Sequence, residues 1–159
     1  MSQVKILEGR LPLKRGARFG VIVSRFNSFI VDNLQTACVA TLREQGVADE
    51  DITVVKVPGA YEIPMTARRM AMNGDFDIII ALGAVIRGET AHFDYVAGEC
   101  ARGISEVSAD LDVPVIFGVL TTDTVQQAAD RAGGKAGNTG ADCAKAAIEM
   151  VDILRQLSK

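Results

Sequence analysis

Apolar residues follow two alternating rhythms along this chain. Four short runs are rich in β-branched side chains: FGVIV at 19–23, ITVVKV at 52–57, FDIIIALGAV at 76–85 and VPVIFGVL at 113–120. Three of them are near-continuously apolar, the pattern of parallel strands covered on both faces. Between the runs, apolar positions recur every three or four residues, the period of amphipathic helices. Ile30, Leu34, Cys38 and Leu42 mark a first helix, ended by Gly46. Ile63, Ala67, Met70 and Ala71 mark a second, with Pro64 tolerable in its first turn. Val96, Cys100, Ile104, Val107 and Leu111 mark a third. Val125, Ala128 and Ala132 mark a short fourth, stopped by Gly133-Gly134, and Ala144, Ile148, Val151 and Leu154 mark the last. The order β-α-β-α-β-α-β-α-α predicts an α/β fold, a parallel sheet with helices on both faces and right-handed crossovers.

The opening segment QVKIL, 3–7, reads as a further strand with no home in a four-stranded core. It is free to pair with an edge strand of its own sheet or of a neighbour's. No repeat, low-complexity tract or linker interrupts the pattern. One domain over 1–159 is expected, with 1–15 as an N-terminal segment before a core at 16–158.

Composition narrows the function classes. The 159 residues are 48% hydrophobic and 23% charged, with formal charge −3 and scattered lysines and arginines. A nucleic-acid binder would show a basic patch or stripe, so nucleic acid is set aside as a partner. No apolar stretch reaches the roughly 18 residues of a membrane span, and the N-terminus has no signal-type core. Cys38, Cys100 and Cys143 lack metal-ligand spacing and fall at apolar positions of predicted helices. Buried free thiols in a reducing cytoplasm are the expectation.

In open parallel sheets, ligands collect at the carboxyl ends of the strands near a topological switch point. The segments that follow the four runs are SRFNS, PGAYEIP, IRGETAHF and TTDT. The first three each combine an aromatic or imidazole ring with polar groups. IRGETAHF holds His92, the only histidine of the chain. Gly88 allows close backbone approach, and a helix opening at Thr90 would aim free N–H groups and a positive dipole end at one spot, a ready anion site. An imidazole beside it can shuttle protons near neutral pH. The same residues also fit a plain capped helix, with Thr90 as N-cap and a half-buried histidine. Phe26, beside the candidate N-cap Asn27, fits either a stacking platform for a planar heterocycle or a hydrophobic staple on its own helix. Glu62 fits either an acceptor for a polyol hydroxyl or a solvated carboxylate at a helix start. Ala60 and Tyr61 would offer backbone to a ring edge.

Dinucleotide and P-loop glycine motifs are missing, as are a serine elbow, a metal cluster and a Cys–His pair. Proton transfer combined with phosphate binding is the chemistry left.

VSRFNSFIVDNL, VPGAYEIP, ALGAVIRGETAHFDYV, PVIFGVLTTDT and DRAGGKAGN, in this order and spacing, resemble the lumazine synthase family of riboflavin biosynthesis, bacterial type, from about residue 19 to 154. The resemblance implies a three-layer, flavodoxin-like α/β/α protomer. It also implies pentamers with active sites between neighbours, and no cofactor. The implied reaction joins 5-amino-6-(D-ribitylamino)uracil to 3,4-dihydroxy-2-butanone 4-phosphate, releasing phosphate and water. Carried over by position, Phe26 stacks on the pyrimidine, and Ala60, Tyr61 and Glu62 hold the ribityl chain. Ala84, Val85 and Ile86 meet the uracil edge, Glu89 and Thr90 meet the phosphate, and His92 moves protons. Phe117, toward the ribitylaminouracil, and Arg131, toward the butanone phosphate, come from the adjacent subunit. The short turn GGKAGN resembles that of members whose pentamers close into sixty-subunit icosahedral shells, and the family's partner enzyme is riboflavin synthase.

Two positions depart from the usual pattern. Thr139 stands where most relatives carry lysine, and Glu89 adds a carboxylate beside the expected anion where many have a small residue. Two readings from other classes compete: a flavodoxin-like binder of flavin or ribityl compounds, and a shell protein without turnover. A pure binder needs no proton shuttle, and the flavodoxin-type phosphate loop after the first strand is absent.

Overall fold

A computed structural model describes residues 3–158. Four parallel strands, β1 (Phe19–Ser24), β2 (Ile52–Val57), β3 (Ile78–Ile86) and β4 (Val115–Thr122), form one sheet in the order β2-β1-β3-β4. Helices α1 (Ser28–Glu44) and α5 (Thr139–Leu157) cover one face, and α2 (Ile63–Met72) and α3 (His92–Leu111) cover the other. The two-residue period of the strands divides their apolar side chains between these layers. Val21, Val23, Ile78, Ile80 and Leu82 pack with α1 and α5, whereas Ile22, Ile79 and Ala81 pack with α2 and α3. Burial on both faces is why the strands read as unbroken apolar runs.

Close helix contacts depend on glycine at two places. A Cβ on Gly140 would strike the Leu34 carbonyl, and one on Gly103 would lie 2.6 Å from Pro64 Cβ. The first lets α1 and α5 touch, and the second does the same for α2 and α3.

Three expectations from the sequence need correction. The fourth helix, α4 (Val125–Asp130), ends before Ala132, which opens a small antiparallel hairpin of β5 (Ala132–Gly134) and β6 (Gly137–Asn138). Gly133 and Gly137 hold φ of 103° and 85° in that hairpin, values costly for any residue with a Cβ. The segment 3–7 is not a strand of this chain's sheet. It leaves Val4 and Ile6 exposed, and the arm that follows docks on α5, where the Arg10 N–H donates to Asp152 (2.9 Å) and Gln156 donates to the Glu8 carbonyl (2.8 Å). The strands β3 and β4 also begin and end one or two residues later than their apolar runs.

Cys38, Cys100 and Cys143 are buried free thiols, as expected. Burial pushes Cys38 up to about 12, with a further rise from nearby Cys143, and pushes Cys100 and Cys143 up to about 11. Thiols held so far from ionisation are core residues and not nucleophiles. Among the described residues no helix is long and apolar enough to cross a membrane.

Candidate active site

The strand order places a switch point between β1 and β3, where successive crossovers leave in opposite directions. Here β3 outruns its neighbour. Its pairing with β1 stops at Leu82, while its pairing with β4 continues to Ile86. Ala84, Val85 and Ile86 therefore form a ledge with no strand on the β1 side. One carbonyl of the ledge is taken: the Asn27 side-chain amide donates to Ala84 at 2.9 Å.

A cavity of about 650 Å³ opens over this ledge, large enough for a drug-sized ligand. The turns after β1, β2 and β3 all reach it. Phe26, Ala60, Tyr61, Glu62, Ala84, Val85, Ile86, Thr90 and His92 line it, together with Asn27, Gly59, Gly88, Phe93, Tyr95 and Val96. Phe26 is 71% exposed. A ring that exposed, and lining the cavity, speaks against a staple packed on its own helix. Glu62 occupies the N-cap position of α2, after a 3-10 turn at Ala60–Glu62 in which its N–H donates to the Gly59 carbonyl (3.2 Å).

Around His92 the geometry differs from expectation. The helix α3 starts at His92, with Ala91 at the N-cap position and no side-chain cap. Thr90 lies one residue outside that cap, and its hydroxyl accepts from the His92 N–H at 3.3 Å. His92 is thus the first helical residue, and it is exposed. Asn27 sits at the N-cap of α1 but in the left-handed region, φ 62°, with no cap hydrogen bond, because its amide is turned to Ala84. A Cβ on Gly88 would meet nothing within 4 Å, so the space above this turn is open toward the cavity.

Three expected site residues lie apart from the cavity lining. Glu89 is exposed on the turn before α3. Phe117 lies on β4, 43% exposed, in a separate shallow hollow with Arg87, Phe93, Asp123 and Gln127. Arg131 ends α4, and its guanidinium donates to the Gln127 carbonyl (2.9 Å). Phe93 lines both hollows and is the wall between them. Asn27, Phe93 and Tyr95 were readable only as a cap and as helix residues, because their role in the lining depends on how the strand ends converge.

A doubly covered parallel sheet in the order 2-1-3-4, with an apolar-lined crevice at the β1/β3 switch point, defines a flavodoxin-like α/β/α fold. Residues 16–155 match the sequence model of the 6,7-dimethyl-8-ribityllumazine synthase family, and the chain belongs to that family. It is a transferase of riboflavin biosynthesis, condensing the ribitylaminouracil with the butanone phosphate.

Proposed function

We propose that the crevice over the β3 ledge is where this condensation occurs, and that the whole chain acts as one catalytic domain. The observation that carries the reading is the meeting of an exposed ring, a carboxylate, a strand ledge open on its β1 side and the single imidazole around one cavity. Phe26 stacks on the pyrimidine, and peptide groups of Ala84, Val85 and Ile86 meet its polar edge. Ala60, Tyr61 and Glu62 hold the ribityl hydroxyls. The phosphate binds at the uncapped start of α3, where free N–H groups and the dipole favour an anion. Thr90 supplies a hydroxyl there, and Glu89 turns its carboxylate to solvent and offers only its N–H.

Imine formation, phosphate elimination and ring closure each require a proton to move, and His92 is beside all three. General acid–base help of this kind contributes about 10²–10⁴ in rate. Holding the amine against the ketone supplies the rest, with an upper range of about 7–11 kcal/mol for well-oriented pairs.

Phe117 and Arg131 serve the site of a neighbouring subunit. Their separation from this chain's own cavity supports that arrangement, as does the exposed 3–7 segment, whose apolar Val4 and Ile6 alternate with Lys5 as an edge-pairing strand does. The assembly is a pentamer, and twelve pentamers close into a sixty-subunit shell with riboflavin synthase as a partner. The buried free thiols favour a reducing cytoplasm. Mixing the full-length protein with the two substrates tests the reading: lumazine absorbance and fluorescence should rise, and fail to rise when Phe26 and His92 are both replaced by alanine.

A further inference from the structure

One guanidinium ties together the elements around His92. Arg87 is the first residue past β3, and its backbone N–H donates to the Thr122 carbonyl of β4 at 2.9 Å. Its side chain then reaches three groups. Nε donates to Asp123 (2.9 Å) in the turn after β4, Nη1 lies 3.4 Å from Asp94 in the first turn of α3, and the guanidinium carbon sits 4.4 Å from the centroid of the Phe93 ring.

The turn that leads into the helix makes few contacts of its own. From Gly88 to Thr90 no backbone–backbone hydrogen bond to another element is made among the described residues, the Ala91 carbonyl accepts from the Asp94 N–H of α3 (3.0 Å), and every residue from 87 to 92 is exposed. The core holds α3 through partly buried Phe93, Val96 and Ala97 near its start and through Cys100, Ile104 and Val107 farther along. In the first turn Phe93 is the core contact, and the guanidinium of Arg87 stacks on that same ring and reaches Asp94 beside it. Phe93 and Asp94 directly follow His92, so the guanidinium that grips both sets where the imidazole stands.

We propose that Arg87 is a positioning residue for the condensation, acting on His92 through Phe93 and Asp94. Exposed ion pairs of this type contribute little to stability. A planar fork that stacks on a ring and holds two carboxylates is well suited to fixing an orientation. The inference rests on the reading of His92 as the proton carrier.

The test is a double-mutant cycle on the full-length assembled protein, with kcat and KM measured for both substrates. Arg87→Gln should lower kcat about tenfold, the scale expected for a small displacement of a catalytic group, with KM for the ribityl-pyrimidine within a factor of two. In a His92→Ala background the same change should cost less than twofold, because the group it positions is gone. Asp123→Asn should act in the same direction with a smaller effect, and its cycle decides the matter if Arg87→Gln does not assemble. Losses that multiply across the cycle, or wild-type kcat in the variant read, overturn the inference. Near wild-type activity in His92→Ala alone overturns the underlying site reading instead, and the two failures are separately visible.

Discussion

The Asn27 side-chain amide reaches across the mouth of the sheet to the carbonyl of Ala84, 2.9 Å away, from a backbone held at φ 62°. One residue thus joins the exit of β1 to the ledge of β3. Two separable costs follow. Asn27→Ala should lose the hydrogen bond, worth about 1 kcal/mol, and also place a less suitable residue in the left-handed region, for roughly another 1 kcal/mol. Asn27→Gly should lose only the first. Denaturant unfolding distinguishes them, and equal destabilisation would show that backbone conformation carries none of the effect.

His92→Ala should slow turnover by about 10²–10⁴ while leaving unfolding and sedimentation unchanged, since the side chain is exposed at the first position of α3. A variant within twofold of wild type would leave proximity as the only source of catalysis.

Arg131→Ala should raise KM for the phosphorylated ketone and barely alter binding of a ribityl-pyrimidine analogue. The Thr139 N–H donates to the Arg131 carbonyl at 2.8 Å, so position 139 lies against the same turn. Thr139→Lys should therefore lower that KM by about fivefold, the effect of roughly 1 kcal/mol from one added charge in a wet site. Titration of both ligands settles each case. Equal weakening of the two by Arg131→Ala would assign it to organising the interface.

The buried thiols set a limit on the alkaline side. Their folded pKa values lie above those of an unfolded thiol, near 8.5, so the unfolded chain releases these protons first. Their contribution is intact below about pH 8.5 and falls as pH rises toward 11 to 12. Unfolding midpoints followed from pH 7 to 10 should drop more steeply for wild type than for Cys38→Ala. Parallel slopes would mean that Cys38 does not titrate on unfolding.

Sedimentation at physiological salt should show a megadalton species, and removal of residues 3–7 should shift it toward pentamers. A single pentamer peak at every concentration excludes the shell. A fully active monomer excludes the shared site.

How much of this was legible in the sequence depends on the distance over which each feature is determined. The strand at 52–57 is read without error because its residues carry the pattern themselves. The β5–β6 hairpin was missed because two and three residues, mostly glycine, have no period to read. Thr90 reads as a cap because a hydroxyl just ahead of a helical period is a local signal, whereas α3 starts two residues later, at His92. The convergence of the first three strand exits on one rim follows from parallel topology alone. The separation of Phe117 and Arg131 from that rim does not, since it depends on β4 lying on the far side of β3 from β1.

The ledge at Ala84–Ile86 has one consequence for how such a pocket can change. On the proposed reading, peptide groups there are presented by a strand that overshoots its neighbour, so what they offer a ligand is independent of which side chains occupy those positions. Alanine scanning is blind to recognition of this kind. Genetic drift at 84–86 can alter bulk and polarity while the donors and acceptors stay in register. Replacing single amides by esters through semisynthesis, one atom at a time, would read what substitution of side chains leaves silent.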